Sequence, residues 1–224
     1  MQTASVADLD ACAGTKWLAA VGAADRLQLL DALVHRFSHD LRTPLNTVAG
    51  WSHLLQNGVA DATRIEHAAD VIARNVHEQT LLLAHFVEDC RIVAGRLDVA
   101  AGSTDAASLF LQAVEQPGAA TPHSASMAES DGGTVRRLIE RIALVCARRA
   151  RADTSVDRRT AAEPGWCQLV LSTWARADDW SAPDLLELRL ATLAAAQLGG
   201  SIEMRLTESL HLSVSLRLPS EAVG

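Results

Sequence analysis

Two long stretches of helical periodicity, separated by a short break, constrain the fold of this chain more than any other feature. In residues 24–56, apolar side chains recur at steps of three and four, at Leu30, Val34, Phe37, Leu41, Leu45 and Val48. Asn57-Gly58 then supplies a typical helix stop. Residues 62–94 form a near-heptad seam, at Ile72, Val76, Leu83, Phe86, Cys90 and Val93. The pattern predicts an antiparallel helical hairpin.

A single hairpin of this kind cannot bury the apolar seams of both its helices. Two copies that pair into a four-helix bundle would bury them, so we expect a homodimer. The alternative is an intramolecular bundle that the hairpin forms with the C-terminal half of the chain. The predicted fold class is α+β, because the second half combines helices with strands in a small α/β sandwich.

The second half contains both helix and strand patterns, which predict helices packed against a mixed sheet. The expected elements are a strand at Arg96–Val99, a helix at Ala106–Glu115, a loop to Gly133, a helix at Thr134–Ala150, a loop at Arg151–Gly165, a strand at Trp166–Thr173, a helix from Pro183 to Leu198, and strands at Ser201–Leu206 and Leu210–Leu218. We therefore divide the chain into an N-terminal lead-in at 1–23, the hairpin at 24–95 and the α/β domain at 96–224.

Composition narrows the possible partners of this chain of 224 residues. The net charge of −7 and the lack of a basic stripe argue against nucleic acid and against anionic membrane surfaces. No apolar run approaches the roughly 20 residues that span a bilayer, and no signal peptide is recognisable, so we expect a cytoplasmic protein. The four cysteines are widely spaced and predict neither a disulfide framework nor a zinc site.

The chemistry-bearing segment lies in the middle of the first predicted helix. On a helical wheel, His39 lies roughly 180° from Leu30 and therefore faces solvent, with Arg42 and Thr43 on its side. An exposed histidine on such a helix is accessible to a partner protein. His35 lies one turn earlier, but an i, i+4 histidine pair without a third ligand does not predict a metal site.

Pro44 follows His39 by five residues inside the same predicted helix. A proline in a helix interior removes one hydrogen bond and typically costs about 3 kcal/mol. The carbonyl that it frees near His39 or Asp40 would loosen that turn. The alternative is a tolerated bend in a long helix.

Ser38-His-Asp-Leu-Arg-Thr-Pro-Leu-Asn46 resembles the H-box of two-component sensor histidine kinases. The resemblance covers residues 24–95 as a dimerisation and histidine-phosphotransfer domain. It implies that His39 is the phosphoacceptor and that Asp40 orients its ring and assists its deprotonation. It also implies that Thr43 positions water during dephosphorylation of the partner, and that Arg42 steadies phosphate charge.

The second half resembles the ATP-binding domain of that family in outline only. Arg141 and Val145 stand where the family has asparagines that help hold Mg²⁺ and phosphates. The segment at 174–180 replaces an Asp-x-Gly-x-Gly loop, and the segment at 184–190 replaces a glycine-rich turn, although backbone approach to phosphate needs glycine. The connection between them is also too short for an ATP lid. We therefore expect that ATP binding is lost and that the chain holds no cofactor.

These inferences predict a phosphorelay histidine phosphotransferase that works without ATP. Its partner would be a response-regulator receiver domain, which supplies the acceptor or donor aspartate and the Mg²⁺. An upstream hybrid kinase is a further candidate partner. Two alternatives remain open at the level of sequence: an active ATP-dependent kinase with a divergent nucleotide site, and a non-catalytic scaffold that binds a response regulator or a kinase.

Overall fold

A computed structural model describes residues 23–58, 61–97, 133–163, 166–178 and 180–219. These residues form four helices and four strands: α1 (Ala23–Gln56), α2 (Ala62–Ala94), α3 (Gly133–Arg149), β1 (Asp157–Glu163), β2 (Trp166–Trp174), α4 (Ala182–Gln197), β3 (Ser201–Leu206) and β4 (His211–Pro219). The predicted α+β class is confirmed. The predicted lead-in, the helix at Ala106–Glu115 and most of the strand at Arg96–Val99 lie outside the described residues.

α1 and α2 form the predicted antiparallel hairpin. Gly58 follows α1 with a φ of 66°, the left-handed conformation that ends many helices. Asp61 caps the start of α2, where its side chain accepts a backbone N–H bond. Between the helices, the rings of Phe37 and Phe86 stack with their centroids 4.3 Å apart. Gly95 then ends α2 with a φ of 70°.

The four strands form one sheet in the order β1-β2-β4-β3. All three pairings are antiparallel, so the expectation of a mixed sheet was wrong. The expectation of a loop at Arg151–Gly165 was also wrong, because β1 runs from Asp157 to Glu163. β1 pairs with β2, and its residues 157–161 are exposed. A strand that is exposed on both faces lacks the alternation of apolar and polar residues by which strands are recognised.

α3 and α4 pack on one face of this sheet. The apolar side chains of β4 alternate as predicted, and those at Leu212, Val214, Leu216 and Leu218 are buried. Ser181 caps α4, and Pro183 lies in its first turn, where the missing N–H costs nothing. Gly200 lies so close to the carbonyl of Arg217 that a side chain has no room there.

The hairpin and the C-terminal domain (residues 133–219) share one apolar core. Leu29 and Leu33 of α1 and Ile92 and Val93 of α2 are buried in the same cluster as the sheet and helices of that domain. The most buried face of α1 is therefore set by this contact and lies beside the predicted seam. Val34, a member of that predicted seam, remains 50% exposed in the single chain. None of the described helices has the length and apolar character that crossing a membrane requires.

Candidate functional site

α1 presents His39 on the face that points away from its packed side. The imidazole is 76% exposed, whereas Leu33 and Phe37 contribute to packed surfaces of the same helix. The exposure follows from helical geometry, because the six helical steps from Leu33 to His39 leave the two side chains about 120° apart around the helix axis. His39 therefore lies where the wheel predicted it, open to a second molecule.

Asp40 makes the polar contact that defines the chemistry of His39. Its Oδ1 lies 3.2 Å from Nδ1 of His39. An ionised carboxylate can only accept hydrogen bonds, so in a neutral imidazole Nδ1–H donates to Asp40. The lone pair then lies on Nε2, at the exposed end of the ring. The pair thus provides a nitrogen nucleophile whose tautomer is held by the neighbouring carboxylate.

Pro44 lies within α1, which continues through it to Gln56. Because proline has no N–H, the carbonyl of Asp40 lacks its usual intrahelical donor. One turn on, the hydroxyl of Thr47 donates to the carbonyl of Thr43 at 3.1 Å. The long helix tolerates the proline, and the hydrogen-bonding gap falls in the turn that follows His39.

The remaining predicted site residues share this exposed stretch of α1. Arg42 and Thr43 are exposed, as is His35 one turn before His39. In the part of the chain that the structure describes, no three His, Cys, Asp or Glu side chains lie close enough to hold a metal ion. The site therefore offers one nucleophile, one orienting carboxylate, a hydroxyl and a guanidinium.

A group of four charged residues, of which Arg36 is partly exposed and the other three are largely buried, was not predicted. Arg36, one turn before His39, pairs with Asp89 at 2.8 Å and with Glu187 at 2.5 Å. Arg141 pairs with Glu187 at 2.6 Å and also with Asp89. We call these four residues the charge tetrad. The one signal in the sequence was an acidic residue, Asp89, beside the apolar seam of the second helix.

The pKa values of the two carboxylates of the tetrad are shifted in opposite directions. Burial raises the pKa of Asp89 by more than Arg141 and Arg36 lower it. Burial also acts to raise the pKa of Glu187, but there the two arginines prevail and hold it below its ordinary value. Burial acts to lower the pKa of Arg141, but its carboxylate partners outweigh that effect and raise it, so this arginine stays charged.

Packing residues occupy the places where the family resemblance would put nucleotide ligands. Arg141 belongs to the tetrad, and Val145 is fully buried. After β2, the guanidinium of Arg149 donates to the carbonyls of Arg176 and Asp178 at 3.0 and 2.6 Å. It also lies 4.9 Å from the ring centroid of Trp180, which is 1% exposed. Trp180 of the segment at 174–180 is therefore part of the core, and Arg149 holds the exposed residues Arg176 and Asp178 through their backbone carbonyls.

The start of α4 is likewise built for packing. The backbone N–H of Asp184 donates to the hydroxyl of Ser181 at 3.2 Å, and its carboxylate is buried near Arg148. Leu188 and Leu190 are buried in the core. Two ion pairs at different positions along the helices, Arg148–Asp184 and Arg141–Glu187, thus hold α3 against α4.

No family model matches the chain, and no curated protein matches it in sequence. Among solved structures, the Acinetobacter baumannii histidine kinase AdeS superposes with a TM-score of 0.50 at 14% identity, over 81% of this chain and 98% of that one. Full-length ShkA, solved in complex with AMPPNP, superposes with a TM-score of 0.51 at 17% identity, over 84% of this chain. The chain has a histidine-kinase-like fold.

The predicted resemblance is thus confirmed at the level of the fold. The matched region spans 45% of the length of ShkA. A bacterial phosphotransferase also aligns, over 88% of this chain and 98% of that one at 16% identity, but more loosely, with a TM-score of 0.45.

Proposed function

We propose that this chain is a histidine phosphotransferase of a two-component phosphorelay. It passes a phosphoryl group between His39 and an aspartate of a receiver domain, and it uses no ATP. The observation that carries the proposal is the exposed His39 with Asp40 on its Nδ1, within a histidine-kinase-like fold. The H-box-like sequence around His39 agrees with this geometry.

In the proposed transfer, the Nε2 lone pair of His39 attacks the phosphorus of the receiver's aspartyl phosphate. The Nε2–P bond forms as the P–O bond to the aspartyl carboxylate breaks, and that carboxylate leaves as an anion. Because Nδ1 keeps its proton, the imidazole acquires positive charge, which the carboxylate of Asp40 offsets. The Mg²⁺ that neutralises phosphoryl charge belongs to the receiver domain. The same steps in reverse load a second receiver.

Arg42 and Thr43 have secondary roles in this proposal. The guanidinium of Arg42 is exposed on the same helix and steadies the charge of the transferring group. The hydroxyl of Thr43, one turn beyond His39, positions water when phosphate is lost from the receiver by hydrolysis. Catalysis then depends on positioning two proteins, for which no nucleotide pocket is needed.

The absence of ATP chemistry is supported by what replaces the expected nucleotide ligands. Arg141 pairs with carboxylates of α2 and α4, and Val145 is buried, so neither position offers an amide to Mg²⁺ or phosphate. Trp180 fills the core where a glycine-rich segment was expected. The active-kinase alternative would need nucleotide contacts elsewhere on the domain.

A homodimer is part of the proposal. An apolar stripe on the hairpin remains uncovered in the single chain, at Leu27, Val34, Leu45, Val76, Leu83 and Val87. The C-terminal domain packs on Leu29 and Leu33 and does not cover this stripe. A second copy would bury it in a four-helix bundle. Sedimentation should show a dimer for the wild type and a monomer for Val34→Glu. A monomeric wild type would contradict the proposed homodimer.

Two labelling reactions test the proposed function. The full chain is incubated with γ-labelled ATP and Mg²⁺, and separately with receiver domains from the same genome that were first loaded with labelled acetyl phosphate. We expect label on the wild-type chain only from a receiver, and none on His39→Ala. Labelling from ATP would establish the kinase instead. A receiver that binds the chain but never exchanges phosphate would favour the scaffold.

A further inference from the structure

The charge tetrad lies where the hairpin meets the C-terminal domain. Each of its residues comes from a different helix: Arg36 from α1, Asp89 from α2, Arg141 from α3 and Glu187 from α4. Each arginine contacts both carboxylates, so the four charges form a closed, alternating ring. Two members belong to the hairpin and two to the C-terminal domain. Two of the ion pairs, Arg36–Glu187 and Arg141–Asp89, therefore cross from one unit to the other.

Burial makes this ring sensitive to geometry. Asp89 is 1% exposed, and Glu187 and the guanidinium of Arg141 are also largely removed from solvent. A buried charge is costly unless opposite charges and hydrogen bonds satisfy it. Here each carboxylate has two arginine partners, an arrangement that closes only when all four helices keep their relative positions.

Further contacts surround the tetrad at the same junction. Glu88 of α2 pairs with Arg137 of α3 at 2.5 Å. The amide of Gln197, at the end of α4, donates to the carbonyl of Ile92 at 2.8 Å and accepts from the N–H of Leu97 at 2.9 Å. Gln197 thus bonds to the last turn of α2 and to the residues beyond it. Beneath these polar contacts lies the shared apolar core of the two units.

We infer that the charge tetrad is an interdomain lock, which fixes the C-terminal domain on the hairpin through the part of α3 that carries Arg141. The lock uses the face of α3 to which the family resemblance assigns nucleotide ligands. On that face Arg141 pairs with Asp89 of the hairpin. A domain held in this way keeps one distance from His39. The inference concerns conformation, so it stands whether or not the chain transfers phosphate.

Arg141→Glu in the full chain tests the lock, because it places a third carboxylate beside Asp89 and Glu187. We expect the amides of the junction, around Leu33 and Val93, to exchange hydrogen at least tenfold faster, while those near Trp51 toward the far end of α1 keep their rates. Calorimetry should resolve two unfolding transitions in place of one. Arg205→Glu is the matched control, since Arg205 is an exposed arginine that pairs with Glu203 on β3, away from the junction.

Equal junction exchange rates in Arg141→Glu and Arg205→Glu, with a single transition in both, would overturn the lock. Should Arg141→Glu fail to fold, Arg36→Gln serves in its place. It removes the charge of the tetrad's arginine on the hairpin and leaves the sequence of the C-terminal domain unchanged. It should raise the same junction rates, and unchanged rates there would contradict the inference equally. Neither measurement involves phosphate, so failure of the lock is distinguishable from failure of the proposed phosphotransfer.

Discussion

His39 and Arg36 lie three residues apart on one helix, yet their surroundings differ in almost every respect. His39 is exposed and has a half-exposed neighbour, Asp40, at 3.2 Å. Arg36 turns toward the C-terminal domain and, itself only partly exposed, pairs with the largely buried carboxylates of Asp89 and Glu187. One turn of α1 thus separates a position available to partner proteins from a position that holds the molecule together.

The physical consequence is that a reactive position and a stabilising position lie one turn apart on the same helix, the first exposed and the second turned into the domain junction. An exposed ion pair contributes roughly 0–1 kcal/mol to folding. Removing one partner from a buried ion pair typically costs about 3–5 kcal/mol, because a charge is left uncompensated. Substitutions at the site of His39 and in the tetrad should therefore affect different measurements, and the separation can be tested from both sides.

Replacing His39 with Ala should have the largest effect, a complete loss of phosphoryl transfer. The free energy of unfolding should change by no more than roughly 0.5 kcal/mol, since an exposed side chain buries little. Receiver-dependent labelling and urea unfolding measure the two quantities. His35→Ala is the control, being similarly exposed one turn earlier. Retained transfer in His39→Ala, or its loss in His35→Ala, would refute the assignment of the phosphoacceptor.

Replacing Asp89 with Ala should have the opposite effect, a large loss of stability with phosphoryl transfer retained. We expect a loss of about 3 kcal/mol in the free energy of unfolding, because two arginines lose their shared partner. His39 remains in place, so the variant should still accept phosphate at temperatures where it is folded. Arg205→Ala, at an exposed pair on β3, should lie within roughly 0.5 kcal/mol of the wild type. A similar loss in both variants would remove the distinction between the tetrad and surface ion pairs.

The two regions also differ in how far the sequence predicted them. The hairpin and the exposure of His39 follow from local periodicity, and the motif around His39 is contiguous, so both were predictable. In the tetrad, Arg36 contacts Asp89 and Glu187, which lie 53 and 151 positions further along the chain. A local sequence pattern does not predict contacts between residues so far apart. The buried face of α1 at Leu29 and Leu33 was missed for the same reason, because a distant domain covers it. β1 was missed because its exposed residues 157–161 show no apolar alternation.

Replacing Asp40 with Ala should slow phosphoryl transfer roughly tenfold to a hundredfold without abolishing it. The carboxylate holds the tautomer and offsets the charge that develops on the imidazole, but the attacking nitrogen belongs to His39. Single-turnover transfer from a phosphorylated receiver measures the rate. Asp31→Ala is the matched control, because Asp31 is an exposed acidic residue about two turns before His39 on α1, and its loss should leave the rate unchanged. Equal rates in the two variants would show that the contact with Nδ1 has no part in the transfer.

The smallest effect is expected within the tetrad itself, as opposite responses of its two carboxylates to acid. The pKa of Glu187 is lowered from 4.5, so its contribution to stability is present above that value and is lost as the pH falls through the folded-state pKa. The pKa of Asp89 is raised from 3.8, so the pH-dependent part of its contribution is largest below that value and declines as the pH rises through the folded-state pKa, while its ion pairs with the two arginines remain. Urea unfolding across the acid range, for Glu187→Gln and Asp89→Asn beside the wild type, separates the two. The stability advantage of the wild type over Glu187→Gln should grow as the pH rises, and its advantage over Asp89→Asn should shrink. Parallel profiles for the two variants would mean that Arg36 and Arg141 hold both carboxylates alike, and the asymmetry of the tetrad would be wrong.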